Sequence, residues 1–252
     1  MLQRRILPRT GLECSSLCLG TASMGSSLPL APSFMMLDAF FEAGGNFLDS
    51  ARVYADWLPG GSSASETAIG SWMKERNIRD RIVVATKGGH PPLADMSRSR
   101  ISHKEISADI EQSLSCLQSD TIDLYYLHRD DPSVPVGEIL GFMDGFAREG
   151  RIRFYACSNW DASRIAAAAD FAKKNGSRGF VAVQNMWSLA EPAPGRIADR
   201  SLRTMDARTI RICRDYEISA IPYSAQARGF FTKHALSKDF KYDPSRTGLY
   251  DT

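Results

Sequence analysis

Asp49, Tyr54, Lys87 and His128 are four side chains that can hold, donate or accept protons, and each sits at or just beyond the end of a short apolar run. The stretch NFLDSARVY (46–54) carries the carboxylate and the phenol. Lys87 follows RIVVAT (81–86), and His128 closes DLYYLH (123–128). Three further runs end in polar groups: RIRFYACS (151–158) in Ser158-Asn159, GFVAVQ (179–184) in Gln184, and ISAIPY (218–223) in Tyr223-Ser224. Each residue also has a plainer reading. Asp49 suits a helix N-cap, and Ser158-Asn159 the cap of the next helix. Tyr54 suits a half-buried aromatic with a solvated hydroxyl. Lys87 beside Gly88-Gly89 suits an exposed loop, and His128 before Arg129-Asp130-Asp131 a charged surface loop. The joint pattern outweighs these: a carboxylate, a phenol, an amine and an imidazole recur at successive strand ends.

The elements that must position them alternate. Strands are expected at 16–20, 46–49, 82–86, 123–128, 152–157, 180–184 and 218–222, after an N-terminal hairpin of 2–7 and 12–16. Between them lie helical periods at 33–43, with Ser33 as N-cap, and at 63–76. Others follow at 102–118 with a Ser102/Glu105 capping box, 136–148, 161–174 capped by Asp161, and 204–216. Successive strand ends from Asp49 to Tyr223 stand 26 to 42 residues apart, one β-α unit each. Such alternation predicts an α/β protein with a parallel sheet and outer helices, either an open doubly wound sheet or a closed (β/α)8 TIM-type barrel. No G-x-G-x-x-G or G-x-x-x-x-G-K-[ST] follows any strand, which weakens the open nucleotide-binding sheets. In a barrel the strand C-termini converge on one face, where its active sites lie. The barrel is therefore the expectation, as one domain over residues 1–252.

Composition excludes several classes. The chain is 43% hydrophobic and 24% charged with net charge +2, so neither a nucleic-acid partner nor a polybasic membrane anchor is suggested. No signal-peptide h-region follows Arg4, Arg5 and Arg9, and no apolar run approaches the roughly 18 residues of a membrane span. The five cysteines form no C-x-x-C pair and read as free thiols in a reducing, cytoplasmic setting. No ligand-spaced cluster suggests a metal.

The stretches NFLDSARVY, SETAIGSWMKER, IVVATKGG, ISADIEQSLSCLQSDTIDLYYLHRDD, GRIRFYACSNW, VAVQNMWS and IPYSAQARGFF together resemble the aldo-keto reductases, over residues 2–231. The resemblance implies a barrel that reduces an aldehyde or ketone with NADP(H), with NAD(H) not excluded. It implies a catalytic tetrad of Asp49, Tyr54, Lys87 and His128. It also implies cofactor contacts from Gly20, Thr21, Ala22, Asp49, Ser158, Asn159, Gln184, Tyr223, Ser224, Gln226 and Arg228, with Tyr223 stacking on the nicotinamide. In that chemistry a carbonyl oxygen gains negative charge, and a proton donor must sit beside it. A tyrosine of pKa about 10 donates readily, and a nearby ammonium is expected to lower that pKa. Asp49 would hold the lysine, and the imidazole would orient the carbonyl. Loops 57–63, 90–100 and 186–201 are expected to shape the pocket.

The pattern departs from the family after Tyr223. Only 29 residues follow, and none reads as a buried strand, Lys238 to Gly248 resembling a loop. Seven strands are visible where the family's barrel has eight, so an incomplete barrel is expected, completed by an oligomer or a further C-terminal segment. Two alternatives to the reductase are a non-catalytic, cofactor-binding interaction subunit or inactive truncated product of the same fold, and a barrel enzyme for phosphorylated substrates. The last is disfavoured because no Gly-rich phosphate loop follows the final strands.

Overall fold

The computed structural model describes residues 1–190, 197 and 199–236. Two strands, β1 (Arg4–Ile6) and β2 (Glu13–Ser15), pair antiparallel as the expected hairpin. Seven parallel strands follow: β3 (Leu19–Gly20), β4 (Phe47–Asp49), β5 (Val83–Gly88), β6 (Ile122–Leu127), β7 (Ile152–Ser158), β8 (Ala182–Gln184) and β9 (Ser219–Ala220). Their order in the sheet is their order in the chain. The helices between them are α1 (Leu30–Glu42), α2 (Ala64–Arg76), α3 (His103–Leu117), α4 (Val136–Arg148), α5 (Ala162–Asn175) and α6 (Ala207–Asp215). A 3-10 turn (Ala227–Gly229) and α7 (Phe230–Leu236) close the described chain.

The sheet curls. Gln184 on β8 donates to Asp49 Oδ1 on β4 over 3.0 Å, with three strands between them. In a flat sheet those strands would lie about 19 Å apart, at about 4.8 Å per step, beyond side-chain reach. Period-two alternation then sorts the side chains. Phe47, Val83, Ala85, Leu124, Tyr126, Ala156 and Ala182 face the interior, while Leu48, Val84, Tyr125, Leu127, Tyr155, Cys157 and Val183 face the helices. The architecture is a seven-stranded half-barrel with outer helices. Strands β3 and β9 end the strand order, and no ladder joins them among the described residues.

The hairpin covers the bottom of this interior, where Leu7, Leu12 and Cys14 pack on Phe47, Val83 and Leu124. Asn46 ties it to β4, accepting from Ser15 N over 2.7 Å and donating to Glu13 O over 2.9 Å. On the opposite side Arg9 donates to the Phe180 and Glu217 carbonyls, next to β8 and β9.

Several boundaries differ from expectation. Ser33 is not an N-cap: α1 starts three residues earlier, behind Pro29, and the buried Ser33 hydroxyl donates to the Leu28 and Pro29 carbonyls. Helix α6 starts at Ala207 because Asp206 caps it, accepting from Thr209 N over 2.7 Å. Asp161 does sit at the N-cap of α5, but its carboxylate takes Arg203 Nε at 2.8 Å instead of a helix amide. Strands β3 and β9 are two residues each, and α7 was not expected. The tail 237–252 and the Pro192, Pro194, Gly195 stretch lie outside the described residues. All five cysteines are free, and no described helix is long and apolar enough to cross a membrane.

Candidate active site

Asp49 ends β4 on its inward face, and Lys87 lies one residue from the end of β5 on the same face. Lys87 is 2% exposed. Its ammonium donates to Asp49 Oδ2 at 2.7 Å, to Ser50 O at 2.6 Å and to Tyr54 OH at 3.2 Å. Strand β5 runs past Thr86 because Gly88 O still accepts from His128 N, at 2.8 Å. Gly88 has to lack a side chain, since a Cβ there would sit 1.9 Å from Tyr125 OH.

Tyr54 rides on the loop after β4, fastened from both sides. Arg52 N donates to Lys87 O at 3.0 Å. The Arg52 guanidinium bonds Asp56 at 2.8 Å and approaches Asp109 of α3 at 3.4 Å. Asp109 also accepts from Gly89 N at 2.8 Å and pairs with Arg100 at 2.7 Å. One carboxylate thus links the tyrosine loop to the chain just beyond Lys87. His128 follows β6 and meets Tyr54 edge to face, with ring centres 6.2 Å apart. Its Nδ1 is buried without a hydrogen-bond partner among the described residues.

The polar groups beyond β7 lie across the interior. Ser158 donates to Gln184 O at 2.7 Å, and Asn159 Nδ2 donates to Ser158 Oγ at 3.1 Å. Asn159 holds a left-handed backbone at φ 61°. Its Oδ1 accepts from Tyr223 OH at 2.8 Å and from Arg203 N at 3.2 Å. Thr21 is buried, its hydroxyl donating to Asp49 O at 2.8 Å, while Gly20 and Ala22 are exposed on either side. Ser224 is half-buried at φ 63° and Gln226 is exposed. Arg228 lies in the 3-10 turn, and its side chain is outside the described set. Asp49, Tyr54, Lys87, His128 and Gln184 are therefore brought together, with Ser158, Asn159 and Tyr223 adjoining through direct bonds. Gly20, Ala22, Ser224 and Gln226 form no hydrogen bonds with that group. Of the three loops expected to shape the pocket, the part at 191–196 and 198 is outside the described residues.

Burial opposes the charge on Lys87, yet Asp49 and Tyr54 together outweigh it and hold the pKa above its ordinary value. His128 is pushed well below 6.5 by burial, then by the charges of Arg129 and Lys87, so its ring is neutral near pH 7. Tyr54 departs from expectation. Lys87 does pull its pKa down, but burial acts more strongly and the net shift is upward from 10. The physical reason is that Asp49 already neutralises the ammonium, leaving the phenolate's lost hydration uncompensated.

Sequence reasoning missed four groups around the site: Arg52, Asp109, His90 and Glu66. Glu66 is fully buried on α2, accepts from Thr86 Oγ1 at 2.5 Å beside Lys87, and has its pKa raised to about 7 by burial. The available signal was an acid on the same stripe as Ile69 and Met73.

Comparison with known proteins bears on this geometry. The family model "Aldo/keto reductase family" matches residues 16–248. The chain belongs to the aldo/keto reductase family. It is 28% identical over 260 residues to norsolorinic acid reductase B of Dothistroma septosporum, covering 98% of this chain and 62% of that protein. It is 31% identical over 254 residues to norsolorinic acid reductase of Aspergillus flavus, covering 96% and 60%. It is 28% identical over 243 residues to aryl-alcohol dehydrogenase [NADP(+)] of Phanerodontia chrysosporium, covering 90% and 59%. The chain spans about six-tenths of the length of these curated relatives. Within this aldo/keto reductase the seven-stranded half-barrel gathers its polar groups at the C-terminal ends of the strands, the face on which such barrels place their sites.

Proposed function

We propose that this chain is an NAD(P)H-dependent reductase of aldehydes or ketones in which Tyr54 is the general acid. The observation that carries the reading is the buried chain Asp49–Lys87–Tyr54, at 2.7 and 3.2 Å, facing the His128 ring. The residues present fit a nicotinamide carboxamide. Gln184 uses one amide N–H on Asp49, and its Oε1 makes no hydrogen bond among the described residues. Gln184, Asn159 and Ser158 would hold that group, and Tyr223 would flank the ring. Bound there, the cofactor supplies the hydride that adds to the carbonyl carbon.

The chain's own groups manage the charge that develops on the oxygen. His128, neutral near pH 7, offers an uncharged N–H to orient the carbonyl. Tyr54 gives its proton to the oxygen, and the adjoining ammonium of Lys87 stabilises the phenolate left behind. Asp49 keeps that ammonium charged and pointed inward. The upward shift of Tyr54 makes it a donor that keeps its proton until the oxygen becomes basic. The name of one relative, aryl-alcohol dehydrogenase, points to aryl alcohols and the carbonyl compounds they form on oxidation, and exposed Trp57 beside Tyr54, with ring centres 6.5 Å apart, supplies an aromatic wall for such a substrate.

Oxidation of NADPH and of NADH by the full chain with an aryl aldehyde tests the reading. Tyr54→Phe is expected to lower turnover by roughly 10²- to 10⁴-fold. A Tyr54→Phe protein with undiminished turnover overturns it.

A further inference from the structure

His90 is an imidazole that the proposed chemistry does not use. It stands three residues beyond Lys87, and its ring lies 4.9 Å from that of His128, at 67° between planes. Its position is built, not incidental. Gly89 N donates to Asp109, and Arg100, itself paired with Asp109, donates to His90 O at 3.3 Å. The ring's hydrogen can be located. Nδ1 lies 2.7 Å from Pro91 O, and a carbonyl oxygen only accepts, so Nδ1 carries the proton. Burial, and then the charge of Arg129, hold the pKa of His90 below 6.5, so the ring is neutral near pH 7. Nε2 is then a bare acceptor. No described residue donates to it, and the residue is half-buried, not enclosed in the core. The rim of the site thus pairs two imidazoles of opposite use: His128 beside the general acid, and His90 presenting a lone pair.

We propose that His90 Nε2 accepts a hydrogen bond from a hydroxyl of the substrate, spaced from the carbonyl oxygen by roughly the 4.9 Å between the two ring centres. The substrate class is therefore a hydroxylated aldehyde or ketone. The assignment rests on reading Tyr54 and His128 as the groups at the carbonyl. A carbonyl compound without the hydroxyl would leave the acceptor with water alone, and a methoxy group in its place would set oxygen lone pairs against it.

The probes are 3-hydroxybenzaldehyde and 3-methoxybenzaldehyde, whose substituent is too far from the aldehyde for an internal hydrogen bond. Calorimetric binding to the full chain and kcat/KM with NADPH are measured for both. The wild-type chain is expected to prefer the hydroxyl compound by about five- to tenfold. His90→Phe should reduce that ratio to near one, and His90→Gln, which keeps an acceptor, should retain part of it. A ratio unchanged in His90→Phe, or no preference in the wild type, overturns the proposal. The two readouts separate it from the catalytic reading. A binding preference that His90→Phe abolishes, without turnover of either aldehyde, counts against the reductase and leaves only the hydroxyl contact of His90 standing. Turnover without the preference sinks His90 alone.

Discussion

Strands β5, β6 and β7 run for six, six and seven residues, whereas β8 and β9 run for three and two. The first group carries Lys87 and leads into His128, and the second carries Gln184 and leads toward Tyr223. On the long-stranded side, position is set by continuous ladders, by a buried ion pair and by the Asp109 clamp on α3. On the short-stranded side it is set by two- and three-residue ladders and by single side-chain bonds, some reaching back to β7 and its loop: Tyr223 to Asn159, Asn159 to Ser158, and Asn185 Nδ2 to the Trp160 main-chain carbonyl at 3.0 Å. The groups proposed to move a proton therefore sit beside the long strands, where desolvated charges need fixed partners. Those proposed to receive a cofactor run from Ser158, at the end of β7, to Tyr223, and are joined by single side-chain bonds.

Perturbing the two sides should separate them in size. The largest effect is expected from Lys87→Met, which leaves Asp49 buried without its cation. Loss of about 3–5 kcal/mol in a urea melt is expected, together with loss of turnover. A cost under 1 kcal/mol would mean that the ladders, not the ion pair, hold this side, at variance with the usual penalty for an unpaired buried charge.

Glu66→Gln comes next, and its effect depends on pH. The Glu66 pKa is raised from 4.5 to about 7 in the folded protein, chiefly by burial. The folded state keeps a proton that the unfolded chain releases. Stability from this group is thus fully present below pH 4.5 and is lost as pH rises through about 7. Removing the titration should flatten that slope and make the variant more stable above pH 7 by on the order of 3 kcal/mol. Urea midpoints measured between pH 4.5 and 8 check this, and parallel wild-type and variant curves would count against it.

The smallest effect is expected from Tyr223→Phe, which removes one hydroxyl bond to Asn159 on the short-stranded side. A cost of about 1 kcal/mol in the same melt is expected. A cost equal to that of Lys87→Met would erase the distinction between the two sides.

Local chemistry accounts for what the sequence showed. Helix α4 has the bounds its pattern predicts, and α3 follows Ser102, whose hydroxyl accepts from Glu105 N at 3.3 Å. Caps and stripes of this kind act within one turn, so they are readable without the rest of the chain. The same reading placed α1 three residues late, because Ser33 bonds carbonyls inside the helix while Pro29 starts it. Strands β3 and β9 are shorter than their apolar runs, because a strand's length depends on what its neighbour pairs. Asp109 and Glu66 escaped notice for a related reason: an acid on a helix declares its importance only when the face it occupies is buried.

The sequence by itself determined the kinds of side chain that end each strand and the order in which strands and helices alternate. Only the tertiary structure decided that Asp49 and Gln184, 135 residues apart, touch. That contact depends on the curl of the sheet, which accumulates from small rotations between neighbouring strands that no single segment encodes. The same curl sets burial, and burial is what raised Tyr54 where a pairwise reading of Lys87 expected it to fall.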